Sequence, residues 1–222
     1  MSLNFAGIIF EKNYQNQYPD LLTALKVNFQ QSGEGFTFDQ AIRYDNQSSA
    51  LGIVNQKTLF FNHLLSYNCS YEPKEDLYLD KILTILSSEG DILNFIVNER
   101  ADMYCFSLFS QQKRIRRWAI YPEGIMVDEG EKLNVEKAEI SDQDQDVPPE
   151  ELPVLYHMSA SETRLFRVFA SFLGLTFQEL VRDKNPRFLS LISRDKRGSR
   201  STALKPKPSQ IHKFERVYWF LE

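Results

Sequence analysis

Three aspartates at alternate positions, Asp142, Asp144 and Asp146, form the stretch of this sequence that comes nearest to a metal-binding loop. An EF-hand calcium loop places oxygen ligands at alternating positions, a glycine at the sixth position and a bidentate glutamate at the twelfth. Counted from Asp142, these two positions hold Val147 and Pro153. Because both demanding positions are wrong, no metal site is predicted. We interpret residues 138–153 as an acidic connector that its prolines and like charges keep extended and solvated.

The acids of this connector also predict a binding surface for a protein partner. Residues 128–151 hold ten acids against two lysines, which gives a net charge of −8. An acidic surface can complement a basic partner and accelerate the encounter through long-range attraction. The predicted partner-binding residues are Asp142, Asp144, Asp146, Glu150 and Glu151.

Basic residues support an alternative, a nucleic-acid-associated protein. In KRIRRW (113–118), the alternation of a strand predicts Arg114, Arg116 and Trp118 on one face, where they could grip phosphates or stack on a base. A second basic run, in a segment predicted to be a mobile loop, adds Arg194, Lys196, Arg197 and Arg200. Two other interpretations stay open: the arginines of 113–118 could pair with the acids of 128–151, and the second run could be an ordinary solvated loop.

Catalytic chemistry has little support in the sequence. His63, His157 and His212 lie far apart and none belongs to a ligand-spaced pair. Cys105 lies in an alternating strand pattern, on the same side as Met103, and is predicted to be a buried, inert thiol. No catalytic residue, metal or cofactor is therefore predicted. An enzyme whose site is assembled from dispersed residues stays open as a third class.

Composition predicts an ordinary globular protein. Hydrophobic residues make up 42% of the 222 residues and charged residues 25%, far from disordered or membrane compositions. No apolar run reaches the roughly 18 residues of a spanning helix, and the N-terminus lacks the pattern of a signal peptide. With two cysteines and no disulfide framework, we expect a cytoplasmic protein without membrane association.

These candidate residues need a scaffold, and hydrophobic periodicity predicts one. The patterns indicate a strand over 3–10, a helix from Pro19 to about residue 31, short strands between 36 and 65, a helix ending at Gly90 and an antiparallel meander to about residue 130. Two capped helices follow, each opened by an S/T-x-x-E motif at Ser159 and Thr176. A C-terminal strand is predicted over 211–222.

The sequence as a whole predicts an α+β fold, with a mainly antiparallel or mixed sheet and about four helices packed on it. The predicted organisation is a sheet core over 1–137, the connector over 138–153, and a helical portion, basic loop and C-terminal strand over 154–222 on the same core. The predicted function is an intracellular protein-interaction module of the inhibitor or immunity type. The sequence does not indicate its partner or oligomeric state.

Overall fold

The computed structural model describes residues 3–42, 48–62, 78–121, 124–137, 160–185 and 188–193. These contain nine strands: β1 Asn4–Phe10, β2 Phe29–Phe36, β3 Ser48–Val54, β4 Lys57–Phe61, β5 Ile92–Asn98, β6 Met103–Ser110, β7 Lys113–Tyr121, β8 Gly124–Gly130 and β9 Phe188–Ser193. They also contain six α-helices and a 3₁₀ turn at Glu99–Ala101: α1 Tyr18–Ala24, α2 Phe38–Ile42, α3 Tyr78–Leu86, α4 Asn134–Lys137, α5 Ala160–Leu173 and α6 Phe177–Arg182.

All nine strands form one sheet in the order β2-β9-β3-β4-β1-β5-β6-β7-β8, and every neighbouring pair is antiparallel. The strands β5 to β8 form the meander that the sequence predicts. The fold is therefore α+β with an antiparallel sheet, and its strand content is larger than the sequence indicated.

Helices cover both faces of the sheet, and each face has its own apolar core. On one face, helices α2, α5 and α6 pack against alternate residues of the central strands, such as Phe5 and Phe95. On the other face, helices α1 and α3 pack against Ile8, Phe10 and Phe60. Because alternate residues of a strand point to opposite faces, β1 can be buried along nearly its whole length.

Gly7 lies at the centre of the sheet, where β1 runs between β4 and β5. A Cβ at this position would lie 2.8 Å from the carbonyl oxygen of Phe60 and 3.0 Å from the ring of Phe61. Only glycine therefore lets the rings of Phe61 and Phe95 approach each other over β1, with centroids 6.3 Å apart.

Two boundaries near the N-terminus differ from the sequence prediction. The helix that starts beside Pro19 ends at Ala24, not near residue 31, and Lys26 has a positive φ of 54°. Strand β2 then runs through SGEG (32–35), a glycine-containing stretch that is locally typical of a turn. Pairing with β9 on one side gives this polar segment its hydrogen bonds, so tertiary context overrides its local turn character. Similarly, residues 38–42 form a helix where a strand-like run was predicted.

Strand β9 was not predicted at all. It lies between β2 and β3 and pairs with both, and Phe188 and Leu191 are buried. A segment near the C-terminal end of the described chain thus completes the same sheet that the N-terminal strands begin. The domain boundaries at 137/138 and 153/154 stay predictions, because residues 138–159 lie outside the described part.

The capping motif at Thr176 is confirmed. The hydroxyl of Thr176 accepts a hydrogen bond from the backbone N–H of Glu179 at 3.2 Å, and the Glu179 carboxylate accepts one from the Thr176 N–H at 2.6 Å. The hydrogen bonds that the Thr176 N–H and hydroxyl donate to the carboxylate lower the pKa of Glu179. The reciprocal bonds fix where α6 begins, and its Phe177 ring packs at 4.5 Å from that of Phe166 on α5. Ser159, the first residue of the other predicted motif, lies outside the described residues.

Candidate partner-binding site

A bulge in β7 decides where its arginines point. Arg114 pairs with Phe109 across the β6–β7 ladder and Arg116 pairs with Leu108, so Ile115 is an extra residue in β7. Such an insertion reverses the alternation of side chains beyond it. The prediction that Arg114 and Arg116 share a face is therefore wrong. Arg114 lies on the α3 side of the sheet, whereas Arg116 lies on the α5 side.

Gly130 closes the other side of this bulge. It pairs with Arg116 from β8 and has a φ of +83°, and a Cβ there would lie 2.1 Å from the carbonyl oxygen of Ile115. We expect Gly130→Ala to lower the free energy of unfolding by about 2 kcal/mol, because the residue combines a left-handed backbone with a backbone clash. Chemical denaturation monitored by circular dichroism measures this loss. A change below about 0.5 kcal/mol, the range of ordinary surface substitutions, would contradict the geometry.

Arg116 makes a buried, bidentate ion pair with Glu136. Its Nε and Nη2 donate to the two Glu136 carboxylate oxygens at 2.9 and 2.7 Å, and both side chains are 0% exposed. Its Nη1 donates to Asp128 and, at 2.9 Å, to the Glu129 carbonyl. Burial alone would lower the pKa of Arg116, but the hydrogen bonds and charges of Glu136 and Asp128 raise it above the usual value. The guanidinium thus stays charged inside the fold.

This ion pair fixes helix α4 to the sheet. Glu136 also accepts a hydrogen bond from the Leu133 N–H at 2.9 Å, which closes the start of the short helix. A helix of four residues has no stability of its own, since its nucleation cost is not recovered by so few hydrogen bonds. The pairing with Arg116 therefore determines where α4 lies. The predicted acidic connector begins at residue 138, directly after α4 ends at Lys137.

The other nucleic-acid candidates on β7 are also engaged or buried. Arg114 makes an ion pair with Asp80 on α3, and its Nη2 lies 3.5 Å from Glu129. Trp118 is 1% exposed, and the guanidinium of Arg164 lies over its ring at 5.2 Å. The alternative interpretation, in which the arginines of 113–118 pair with acids of 128–151, therefore holds for Arg116, whose acidic partners both lie in that range. It holds only in part for Arg114, since Asp80 lies outside the range. The nucleic-acid prediction therefore depends on the basic run Arg194, Lys196, Arg197 and Arg200, which lies outside the described residues.

Arg117 is buried on the opposite face of β7 from Arg116. It lies in register with Ser107 on β6, which lies in register with Asn94 on β5. All three side chains are at most 2% exposed. This polar row crosses the sheet beneath the surface, so Arg117 offers no charge to an external ligand.

A groove of about 360 Å³ lies beside α4. Its apolar wall combines Leu108 on β6, Val168 and Phe172 on α5, and Leu133 and Val135 at α4. The groove lies on the same face of the sheet as Arg116, and the ion pair with Glu136 holds one of its walls in place. The sequence did not predict it, because its lining comes from segments far apart in the chain.

Among the residues that the structure describes, three charged side chains line this groove: Glu11, Asp91 and Lys57. Glu11 Oε2 accepts a hydrogen bond from the Asp91 N–H at 3.0 Å, which holds the two acidic residues together. Lys57 donates to the carbonyl of Phe172 at the end of α5, with its ammonium 4.9 Å from the centre of the Phe172 ring. The lysine is therefore committed to the helix end, where the helix dipole favours a cation.

The remaining sequence candidates lie outside the described residues. These are the connector acids Asp142, Asp144, Asp146, Glu150 and Glu151, the basic residues Arg194, Lys196, Arg197 and Arg200, and the three histidines. Cys105 is described and is buried, as the strand alternation predicted.

Two further properties hold for the described part of the chain alone. Within it, no group of three or more His, Cys, Asp or Glu side chains is placed to hold a metal ion. No described helix combines the length and the apolar character that crossing a bilayer requires.

Comparison with known proteins adds no family to this geometry. No protein-family model, curated protein or solved structure matches the chain.

Proposed function

We propose that this protein is a protein-interaction module, of the inhibitor or immunity type, that covers a basic surface of its partner with the acidic segment 138–153. The binding residues in this proposal are the connector acids Asp142, Asp144, Asp146, Glu150 and Glu151. Partner recognition through charge gives fast, salt-sensitive association.

The observation that carries the proposal is the pairing of Arg114 and Arg116 with other carboxylates. Arg116 directs its donors to Glu136, Asp128 and backbone carbonyls, and its side chain is 0% exposed. Arg114 is engaged by Asp80 and Glu129. These two arginines thus already form ion pairs with acids that precede residue 138. They are therefore not available to neutralise the connector acids.

The anchoring of α4 adds a second support. A charged segment that starts from a fixed point loses less conformational entropy on binding than a free tail of the same length. Because Glu136 is tied to Arg116, the connector starts at a defined place on the sheet.

The proposal is tested with the triple variant Asp142→Asn, Asp144→Asn and Asp146→Asn. A partner is first captured from the source lysate at low salt, with bound protein and nucleic acid assayed separately, and its affinity is then measured. We expect the triple variant to bind at least about tenfold more weakly and with a smaller salt dependence, because three charge-assisted contacts are removed.

The matched control is Asp20→Asn, Asp102→Asn and Asp183→Asn, which changes the net charge equally at sites outside the connector. The control should retain most of the affinity. If both variants lose the same affinity for the partner, the effect comes from net charge and not from the connector. If neither variant loses affinity, the connector does not have the proposed role. Retention of nucleic acid without protein would favour the basic run instead.

A further inference from the structure

We propose that the groove beside α4 receives a lysine or arginine side chain of the protein partner. The inference rests on the proposed function and deepens it, since it assigns a specific contact to a basic partner surface. All of the residues that carry it lie in the described part of the chain.

The shape and lining of the groove suit a long basic side chain. Leu108 and Val168 are 7% and 2% exposed and form an apolar floor, and Phe172 adds a half-buried ring. Lysine and arginine bury their methylene stems on such surfaces while the charged end stays near water. A volume of about 360 Å³ is at the small end of the range for ligand sites, which fits one side chain better than a large cofactor.

The charge at the rim selects a cation. Neither Glu11 nor Asp91 makes a salt bridge within the part of the chain that the structure describes. Among the described residues, two carboxylates and the single ammonium of Lys57 give the rim a net negative charge, which favours a basic group and disfavours an acidic one.

Neither Lys12 nor Lys57 forms an ion pair with these two carboxylates in the described part of the chain, although Lys57 keeps its charge because its partner is a neutral carbonyl. Lys12 follows Glu11 in sequence but pairs with Glu89, which lowers the pKa of that carboxyl. The Lys12 ammonium also lies 4.6 Å from the centre of the Tyr14 ring. Lys57 is held by the Phe172 carbonyl. An incoming cation therefore meets Glu11 and Asp91 without displacing an existing ion pair.

The position of the groove links it to the acidic connector. Asn134 and Val135 of α4 line the groove, and the connector starts right after α4. A partner whose basic surface approached the connector would bring neighbouring lysines or arginines to this wall. The groove would then bury one of them as an anchor, while the connector acids contact the rest.

The groove is tested directly with n-butylguanidinium, which carries the charged end and the alkyl stem of an arginine side chain. We expect it to shift the amide signals of Leu108, Val168 and Phe172 in a ¹H–¹⁵N titration. The neutral isostere n-butylurea should leave these signals nearly unchanged. Equal shifts from both probes, or shifts spread over the acidic surface without the groove residues, would overturn the proposal.

The double variant Glu11→Gln and Asp91→Asn keeps the backbone hydrogen bond and removes the charge. It should weaken n-butylguanidinium binding at least about threefold, with an unchanged melting temperature as the check on folding. A second variant, Ser171→Arg, places a guanidinium of the chain itself at the rim from an exposed position on α5 and should block the probe. Asp20→Asn is the control. Unchanged probe binding in both groove variants would overturn the proposal.

The same variants separate this inference from the proposed function. If the partner binds the double variant with wild-type affinity but loses affinity for the connector triple variant, the groove is not the anchor and the interaction module stands. If neither variant changes partner binding, both proposals fail. Weaker partner binding by both variants supports both proposals.

Discussion

Replacing Glu136 with glutamine is expected to lower the free energy of unfolding by about 3 kcal/mol, because it leaves the buried Arg116 charge without its bidentate partner. Both side chains are 0% exposed, so water cannot replace the lost carboxylate. Asp128 still accepts from Arg116, but it is 34% exposed and only partly compensates. Urea denaturation should show a midpoint lower by about 1–1.5 M at an unchanged slope.

A double-mutant cycle distinguishes the ion pair from general disruption of the site. Asp128→Asn, which removes the more exposed partner, should cost about 1 kcal/mol. The double variant Arg116→Met and Glu136→Leu should be more stable than either of its single variants, since an apolar pair carries no desolvation cost. If Glu136→Gln costs no more than Asp128→Asn, the buried pair does not anchor α4.

The same substitution links stability to the proposed function. Without its charge on Glu136, α4 loses the contact that determines its place beside β7 and β8. We infer that variants of the ion pair would also change the groove wall and the start of the connector. The connector acids themselves would be untouched, so any loss of partner affinity in Glu136→Gln reports on positioning rather than on contact.

Local signals in the sequence predicted the elements that carry their own periodicity or caps. Helix α5 repeats its apolar residues at Leu165, Val168, Phe169 and Phe172, and α6 has a complete capping box at Thr176, so both could be placed in advance. The meander β5 to β8 could also be placed, because short antiparallel strands with tight turns leave a regular spacing.

Elements that depend on distant partners could not be predicted in the same way. Strand β9 takes its hydrogen bonds from β2 and β3, which lie more than a hundred residues earlier in the chain. The bulge at Ile115 has no marker in KRIRRW, and yet it determines which face of the sheet each following arginine occupies. The site predicted on β7 therefore differs most from the structure, since one extra residue moves every following side chain to the other face.

The groove could not be predicted from the sequence for the same reason. Glu11, Asp91 and Phe172 come from three separate segments, and only the sheet order brings β1, β5 and α5 together. Charge counting along the chain identified the acidic segment but could not show that Glu11 and Asp91 lie together at a groove beside α4.

Replacing Phe169 with alanine is expected to cost about 4 kcal/mol and to preserve a single cooperative transition. The side chain is 1% exposed on α5, and its ring lies 5.3 Å from that of Phe95 on β5 and 6.4 Å from that of Phe177 on α6. The substitution removes a ring that joins the two helices to the sheet. It therefore tests whether the helical portion belongs to the same core as residues 1–137.

Ser171→Ala, at an exposed position on the same helix, is the control and should change stability by less than about 0.5 kcal/mol. Unfolding of Phe169→Ala is followed by circular dichroism at 222 nm and, in a Trp219→Phe background, by fluorescence from the buried Trp118 on β7. Coincident transitions at a lower midpoint mean that loosening α5 destabilises the whole sheet. A separate early transition, seen by circular dichroism alone, would instead divide the chain into two units and place the predicted boundary at 153/154 between them.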